Sequence, residues 1–269
     1  SSLSNLVKIL KVLSAVNMRV FNKSCEALQA YLQNLESGLQ VVLRQVTYQP
    51  PPTPANSRLV LLGSDHGLCG SFHSSLLSIF EQPRSYSQVF CVGTRLAEAA
   101  QDHGIKVDSV LSAPTSTAGL AEVADQLLQL LQPLNGSVTL AYHGSNEGLS
   151  QPREEILWPV QEAWLTQLRQ RRWLAPGERG GLPSCWGEPF QALDWLLEET
   201  LVARCQRALA HSLASENQAR LQTMQAAEKN LEEMRVGLQD NLQGRRQNAV
   251  TEELLDVIAG FEMLKEGVH

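Results

Sequence analysis

Between residues 190 and 264 the chain has no proline and only three glycines, Gly237, Gly244 and Gly260. Read as one helix, this run would be roughly 110 Å long at 1.5 Å per residue. The roughly 130 residues in the middle of the chain make a globule only about 35 to 40 Å across on compactness scaling. A helix of that length must project out of its own domain. It therefore has to hide whatever apolar stripe it carries.

The stripe is present at three-and-four spacing: Met224, Ala227, Leu231, Met234 and Leu238, then Val250, Leu254, Val257, Phe261 and Leu264. That period is the seam of a coiled coil. Asn241, Arg245 and Asn248 fall where apolar residues are due, with Gly244 among them, so the seam is weakest there. A second proline-free run, residues 3–46, places Leu3, Leu6, Leu10, Leu13, Asn17 and Val20, and after one adjustment Leu28, Leu32, Leu35, Leu39 and Val42, on one face. This predicts a second coiled-coil helix, about 65 Å long. It is too short to cover the whole of the first. An uncovered tip carrying Val250, Leu254, Val257, Ile258, Phe261 and Leu264 predicts an external sleeve or socket.

Between the two helices, YQPPPTPANS (residues 48–57) has four prolines and reads as an extended linker. Residues 59–62 then form a buried-strand run, residues 63–70 (GSDHGLCG) a glycine-punctuated turn, and residues 74–80 open a helix. Strands at 86–93, 106–111 and 137–142 alternate with helices, the clearest being the amphipathic segment 119–131. Such alternation predicts a mostly parallel sheet covered by helices. Residues 144–154 read as a loop, and 156–160 as a short apolar segment. Stretch 161–189 is the least legible. Its basic run Arg169, Arg171 and Arg172 is either a solvated helix face or a contact for an acidic partner. Trp158, Trp164, Trp173, Trp186 and Trp195 read as core and as the base of the coiled coil.

The turn at 63–70 admits three chemistries. A phosphate loop needs GxxxxGK[ST] or GxGxxG, and neither spacing is present. A nucleophile elbow centred on Cys69, with His66 or His73 as base, matches GxSxG poorly and has no assignable acid. The third reading is a tight structural turn with Cys69 as a small buried hydrophobe.

A net charge of −6 and a pI near 5.6 argue against nucleic acid as the main partner. The five cysteines (Cys25, Cys69, Cys91, Cys185, Cys205) never form CxxC, so neither a disulfide framework nor a zinc site is indicated, and a reducing compartment is expected. No segment reaches the roughly 18 to 20 apolar residues that span a bilayer. The N-terminal stretch, broken by Lys8 and Lys11, does not read as a signal peptide. No catalytic residue, metal ligand or cofactor site is expected.

Two stretches of the long helix carry a further signal: ALAHSLASENQARLQTM (residues 208–224) and RRQNAVTEELLDVIAGFEML (residues 245–264). Together with GSDHGLCG, and in outline KVLSAVNMRVFNK (residues 11–23), they resemble the gamma subunit of F-type ATP synthases. Val16 and Met18 stand where that family usually has two methionines. His66 replaces a usual arginine, and Leu6, Val7, Ile9 and Leu10 replace usual polar residues. These departures point to a divergent or alternative bacterial form.

The resemblance implies a central-stalk rotor that makes no bond and binds no nucleotide, while coupling ion flow to the conformational cycle of the catalytic subunits. The implied fold is α/β: a long antiparallel coiled coil of the N- and C-terminal helices plus a small Rossmann-like, mostly parallel middle domain. Its expected division is 1–47 helix, 48–57 linker, 58–189 middle domain and 190–269 helix.

By motif position it implies contacts of Arg246, Gln247, Thr251, Glu253, Val16 and Met18 with a ring of three alpha and three beta subunits. Val257, Ile258, Phe261 and Leu264 would form the bearing tip. The epsilon subunit and the c-ring are the other implied partners. Membrane association would arise only through the complex, on the cytoplasmic face of the bacterial inner membrane. On the residues alone, two other classes stay open: a stand-alone α/β adaptor with a coiled-coil oligomerisation arm, and a cysteine hydrolase, for which Cys69→Ser would abolish activity.

Overall fold

Strand β1 (Ser57–Leu62) is apolar along nearly its whole length, as a strand covered on both faces must be. It lies at the centre of a five-stranded sheet of order β3-β2-β1-β4-β5, with β2 at Gln88–Val92, β3 at Ser109–Leu111, β4 at Ser137–Asn146 and β5 at Leu149–Trp158. Strands β1 to β4 are parallel, and β5 returns antiparallel to β4. The computed structural model describes residues 2–51, 56–81, 86–146, 149–173, 183–185 and 187–266.

Alternation along the strands sends Val60, Leu62, Phe90, Val92, Val138 and Leu140 to one face and Leu59, Leu61, Val89, Cys91 and Ala141 to the other. The second face is covered by α2 (Phe72–Leu77) and α3 (Thr94–Asp102), through Leu76, Leu77, Leu96, Ala97 and Ala100. The first face is covered by α4 (Gly119–Leu130), α1 (Ser2–Val42) and α6 (Pro189–Glu266). Arg58 donates to the carbonyls of Leu131 (2.8 Å) and Pro133 (3.2 Å), placing a cation at the C-terminal end of α4. A third cluster joins the second half of α1 to α5 (Glu162–Gln170) and the start of α6 through Leu35, Leu39, Leu165, Leu168 and Leu193.

The chain divides into two compact units, Lys11–Thr223, and Ser1–Leu10 with Met224–His269. In the larger unit, α1 and α6 pack antiparallel. Arg207 donates to Gln29 (2.7 Å) and Tyr31 to Glu199 (2.8 Å), and a Cβ on Gly38 would lie 3.1 Å from Leu196. In the smaller unit, Lys8 of α1 is in electrostatic reach of Glu232 of α6. The helix α6 is unbroken across 78 residues. Proline at its first position lacks only an N–H that would have had no partner within the helix.

Several expectations change. The loop expected at 144–154 is a β-hairpin: β4 continues to Asn146 and β5 begins at Leu149. Its polar composition conceals the strands, which are held by the inter-strand ladder, and Pro152 is tolerated because β5 is an edge strand.

The seam of the first half of α1 is also different. Leu3, Leu6, Leu13 and Val20 are exposed, while Val7, Ser14, Phe21 and Cys25 are buried. Both stripes are largely apolar, the buried one interrupted only by Ser14, so period alone could not choose between them. From Leu32 to Val42 the expected seam is the buried one. On α6, Met224 is buried, but Met234 and Leu238 are exposed, so the apolar exposure begins well before Val250.

Trp195, expected in the core, is exposed, and Trp186 lies outside the described residues. The basic run around Arg171 is tied back to α1 and to the segment that follows it. Arg169 donates to the Tyr48 carbonyl (3.3 Å), Arg171 pairs with Glu36 (3.3 Å), and the Arg171 carbonyl accepts from Gln40 and Arg44.

Candidate functional site

The turn at 63–70 leaves the C-terminal end of β1, where open α/β sheets usually bind ligands. Here its groups are already engaged. Asp65 accepts from the Thr94 amide (2.7 Å), the Thr94 hydroxyl (3.2 Å) and the Ala113 amide (3.0 Å), so a carboxylate of the chain itself occupies the N-terminus of α3. Cys69 is buried, with its sulfur 3.8 Å from His73 Nδ1. Burial, then Glu216, pushes its thiol up; burial, then Arg95, His143 and Arg220, pulls His73 down to about 4. At neutral pH the pair is a thiol beside a neutral imidazole, whereas a cysteine nucleophile needs the thiolate. Cys69→Ser is therefore expected to shift unfolding by only about 1 kcal/mol. Chemical denaturation of the isolated chain measures this, and a loss of several kcal/mol would contradict the packing role.

What the turn does is hold α6. The Arg220 guanidinium donates to the Gly67 carbonyl through Nε (3.3 Å) and a terminal nitrogen (3.2 Å), and it forms an ion pair with Glu216 one turn earlier. The Ser64 hydroxyl supports the Glu216 carboxylate and lies 3.0 Å from His73 Nε2. Ser212 donates to the Leu62 carbonyl (2.7 Å) and Ser215 to the His143 carbonyl (3.3 Å). The two sequence signatures, GSDHGLCG and ASENQAR, thus meet each other. Burial raises the Glu216 carboxyl above its ordinary value despite Arg220.

A second polar group lies on edge strand β5. Glu155 accepts from Arg204 (2.8 Å), from Arg207 (3.2 Å to each oxygen) and from the Tyr142 hydroxyl (2.8 Å). Arg204 also donates to the Ile156 carbonyl at 2.7 Å. Burial pushes Glu155 up, but Arg204 and Arg207 outweigh it and hold the carboxyl below its usual range. Sequence reasoning marked GSDHGLCG and ASENQAR as family signatures and read Glu154-Glu155 as a solvated face, but assigned neither group these contacts. Glu216 and Arg220, the only charged residues of 208–224 and one helical turn apart, were the available signal; the Glu155 group joins residues about 50 apart in sequence and left none.

The residues assigned by motif position fall elsewhere. Arg246, Gln247, Thr251, Glu253, Val257 and Ile258 are exposed on α6, and Thr251 Oγ1 donates to the Gln247 carbonyl of its own helix (2.8 Å). Phe261 and Leu264 lie further along α6, their side chains outside the described residues. On α1, Val16 is exposed and Met18 half-buried. Among the described residues no helix is long and apolar enough to cross a membrane, and no cluster of His, Cys, Asp and Glu could hold a metal ion.

Comparison with known proteins reaches the same helices and sheet. The family model described as ATP synthase matches residues 1–264. The chain belongs to the ATP synthase gamma-chain family. An ATP synthase gamma chain of Herpetosiphon aurantiacus is 27% identical, covering 97% of this chain and 94% of its own. One from a Sulfurovum species is 22% identical, covering 90% and 84%. A chain of the Euglena gracilis mitochondrial ATP synthase, solved as an OSCP/F1/c-ring assembly, superposes with a TM-score of 0.59 at 14% identity, covering 94% and 96%. That likeness establishes a shared fold.

Proposed function

We propose that this gamma-family chain is the central-stalk rotor of an F-type ATP synthase. The observation that carries the reading is the exposed apolar run on α6, where Val250, Leu254, Leu255, Val257 and Ile258 are all more than half exposed. Apolar side chains gathered on one helix segment call for a surrounding surface. A surface free of fixed ion pairs can slip past successive equivalent neighbours.

The chain itself makes no bond. It works by presenting different sides to three catalytic interfaces, so that each is biased toward a different conformation; the bias equals the difference in contact free energy between states. In this reading the ring is three alpha and three beta subunits. Arg246, Gln247, Thr251 and Glu253 supply polar contacts to its loops, and Val16 and Met18 of α1 contact the ring as well. Val257, Ile258, Phe261 and Leu264 form the bearing. The epsilon subunit and the c-ring engage the α/β domain, and the complex holds the chain at the cytoplasmic face of a bacterial inner membrane.

The test is co-expression with candidate alpha and beta subunits and native mass spectrometry of the product. A complex with three of each ring subunit and one of this chain, whose ATPase activity falls when the chain is omitted, is the expected result. A chain that stays monomeric or homodimeric beside the ring overturns the reading. Within the complex, Val257→Asp with Ile258→Asp is expected to lower ATPase activity about tenfold, equivalent to about 1.4 kcal/mol. The melting of the isolated chain should stay unchanged, because both side chains are exposed there.

A further inference from the structure

We propose that α6 is held against rolling on the α/β core by two polar clamps on opposite flanks of its sheet-facing side, and that these clamps carry the turning load between core and helix. The inference rests on the rotor reading and adds to it the residues that transmit torque. All of them lie within the compact unit Lys11–Thr223.

The geometry follows from helical spacing. At 3.6 residues per turn, Arg204 and Arg207 point about 60° apart, and Glu216 and Arg220 about 40° apart. The mean directions of the two pairs are about 170° apart around the axis, and their centres are about 20 Å apart along it. The buried Leu201, Cys205 and Ala208 point into the arc between them. One pair grips Glu155 on edge strand β5, and the other grips Gly67 and Ser64 on the turn after β1. Ser212 and Ser215, between them along the axis, anchor the sheet-facing side itself to the carbonyls of Leu62 and His143.

Apolar burial is non-directional, so a helix resting only on Leu and Ala can roll a little with small loss. Charge-assisted hydrogen bonds weaken steeply with distance and angle. Rolling one way stretches the Glu155 clamp; rolling the other way stretches the Gly67 clamp. A rotor that must carry load in both senses, for hydrolysis and for synthesis, needs a grip on each flank.

The test uses the assembled complex in vesicles, with ATP-driven ion pumping read by a potential-sensitive dye. Arg204→Gln together with Arg220→Gln removes the charged guanidinium donor from each flank. Hydrolysis without a membrane potential should stay within about twofold of the parent, while the maximal potential falls at least twofold and each single variant falls less. Arg220→Lys, which keeps a charged donor toward Gly67, should restore the potential lost in Arg220→Gln. Leu209→Ala, a cavity in the same interface, controls for stability and should leave the maximal potential unchanged. If the double variant does not assemble, the two single variants decide. Variants that build the parental potential overturn the clamp, as does Leu209→Ala falling equally far. A parent chain that supports no pumping overturns the rotor reading itself, and the inference with it.

Discussion

Glu155→Gln is expected to lower the unfolding free energy of the α/β unit by about 3 to 5 kcal/mol, the usual result of removing one partner from a buried ion pair. Arg204 and Arg207 would then face a neutral amide in a site where their own side chains are only about one-fifth exposed. The amide can still accept from one of them, so Glu155→Leu should be worse. Denaturant unfolding of the isolated chain measures both.

The effect should depend on pH in a stated direction. Burial raises the Glu155 pKa, but the two arginines lower it by more, so the folded-state value lies below that of the unfolded chain. A depressed carboxyl contributes stability above its unfolded value, near 4.3. That contribution fades as pH falls through the lower folded value. Parent and variant should therefore differ most near neutral pH and converge in acid. A gap that widens below about pH 4 would contradict the assignment of the pair as the cause.

Gly93→Ala is expected to cost about 4 kcal/mol, combining backbone strain with a steric clash. Gly93 has φ +110° and ψ +115°, a conformation that side-chain-bearing residues rarely adopt. A Cβ there would lie 2.5 Å from the Ser64 amide nitrogen and 2.7 Å from its carbonyl oxygen. Both neighbours are backbone, so no rotamer change relieves the contact. The Ser64 carbonyl also accepts from the Arg95 amide at 3.2 Å, and the Gly93 amide donates to Leu111 at 2.8 Å, which ties the start of α3 to the turn. A melting temperature of the α/β unit within about 2 °C of the parent would contradict this account; the expected drop is about 10 °C.

These two sites differ in how far the sequence disclosed them. The turn after β1 could be read from its glycines and from its similarity to the gamma family, and its competing chemistries could be set out in advance. That Asp65 fills the start of α3 while Gly67 receives Arg220 could not, because partners 29 and 153 residues apart meet only once the sheet has formed. Residues 144–154 read as loop for a similar reason. Glu154 and Glu155 look like solvated charge, yet Glu155 pairs with Leu140 of β4 and sits between two arginines of α6.

What the sequence determined by itself is what repeats locally. The proline-free runs dictate two long helices, the alternation of short apolar runs with amphipathic helices dictates a parallel sheet, and the spacing within ASENQAR and RRQNAVTEELL points to the family. Tertiary structure decided between alternatives that were locally equivalent. On α1 two stripes offer comparable hydrophobicity, Leu6 and Leu13 on one and Val7 and Phe21 on the other. Only packing buries the second. Helical period reports that a face is apolar, while the partner's shape and the nearest unsatisfied backbone group select which face is used.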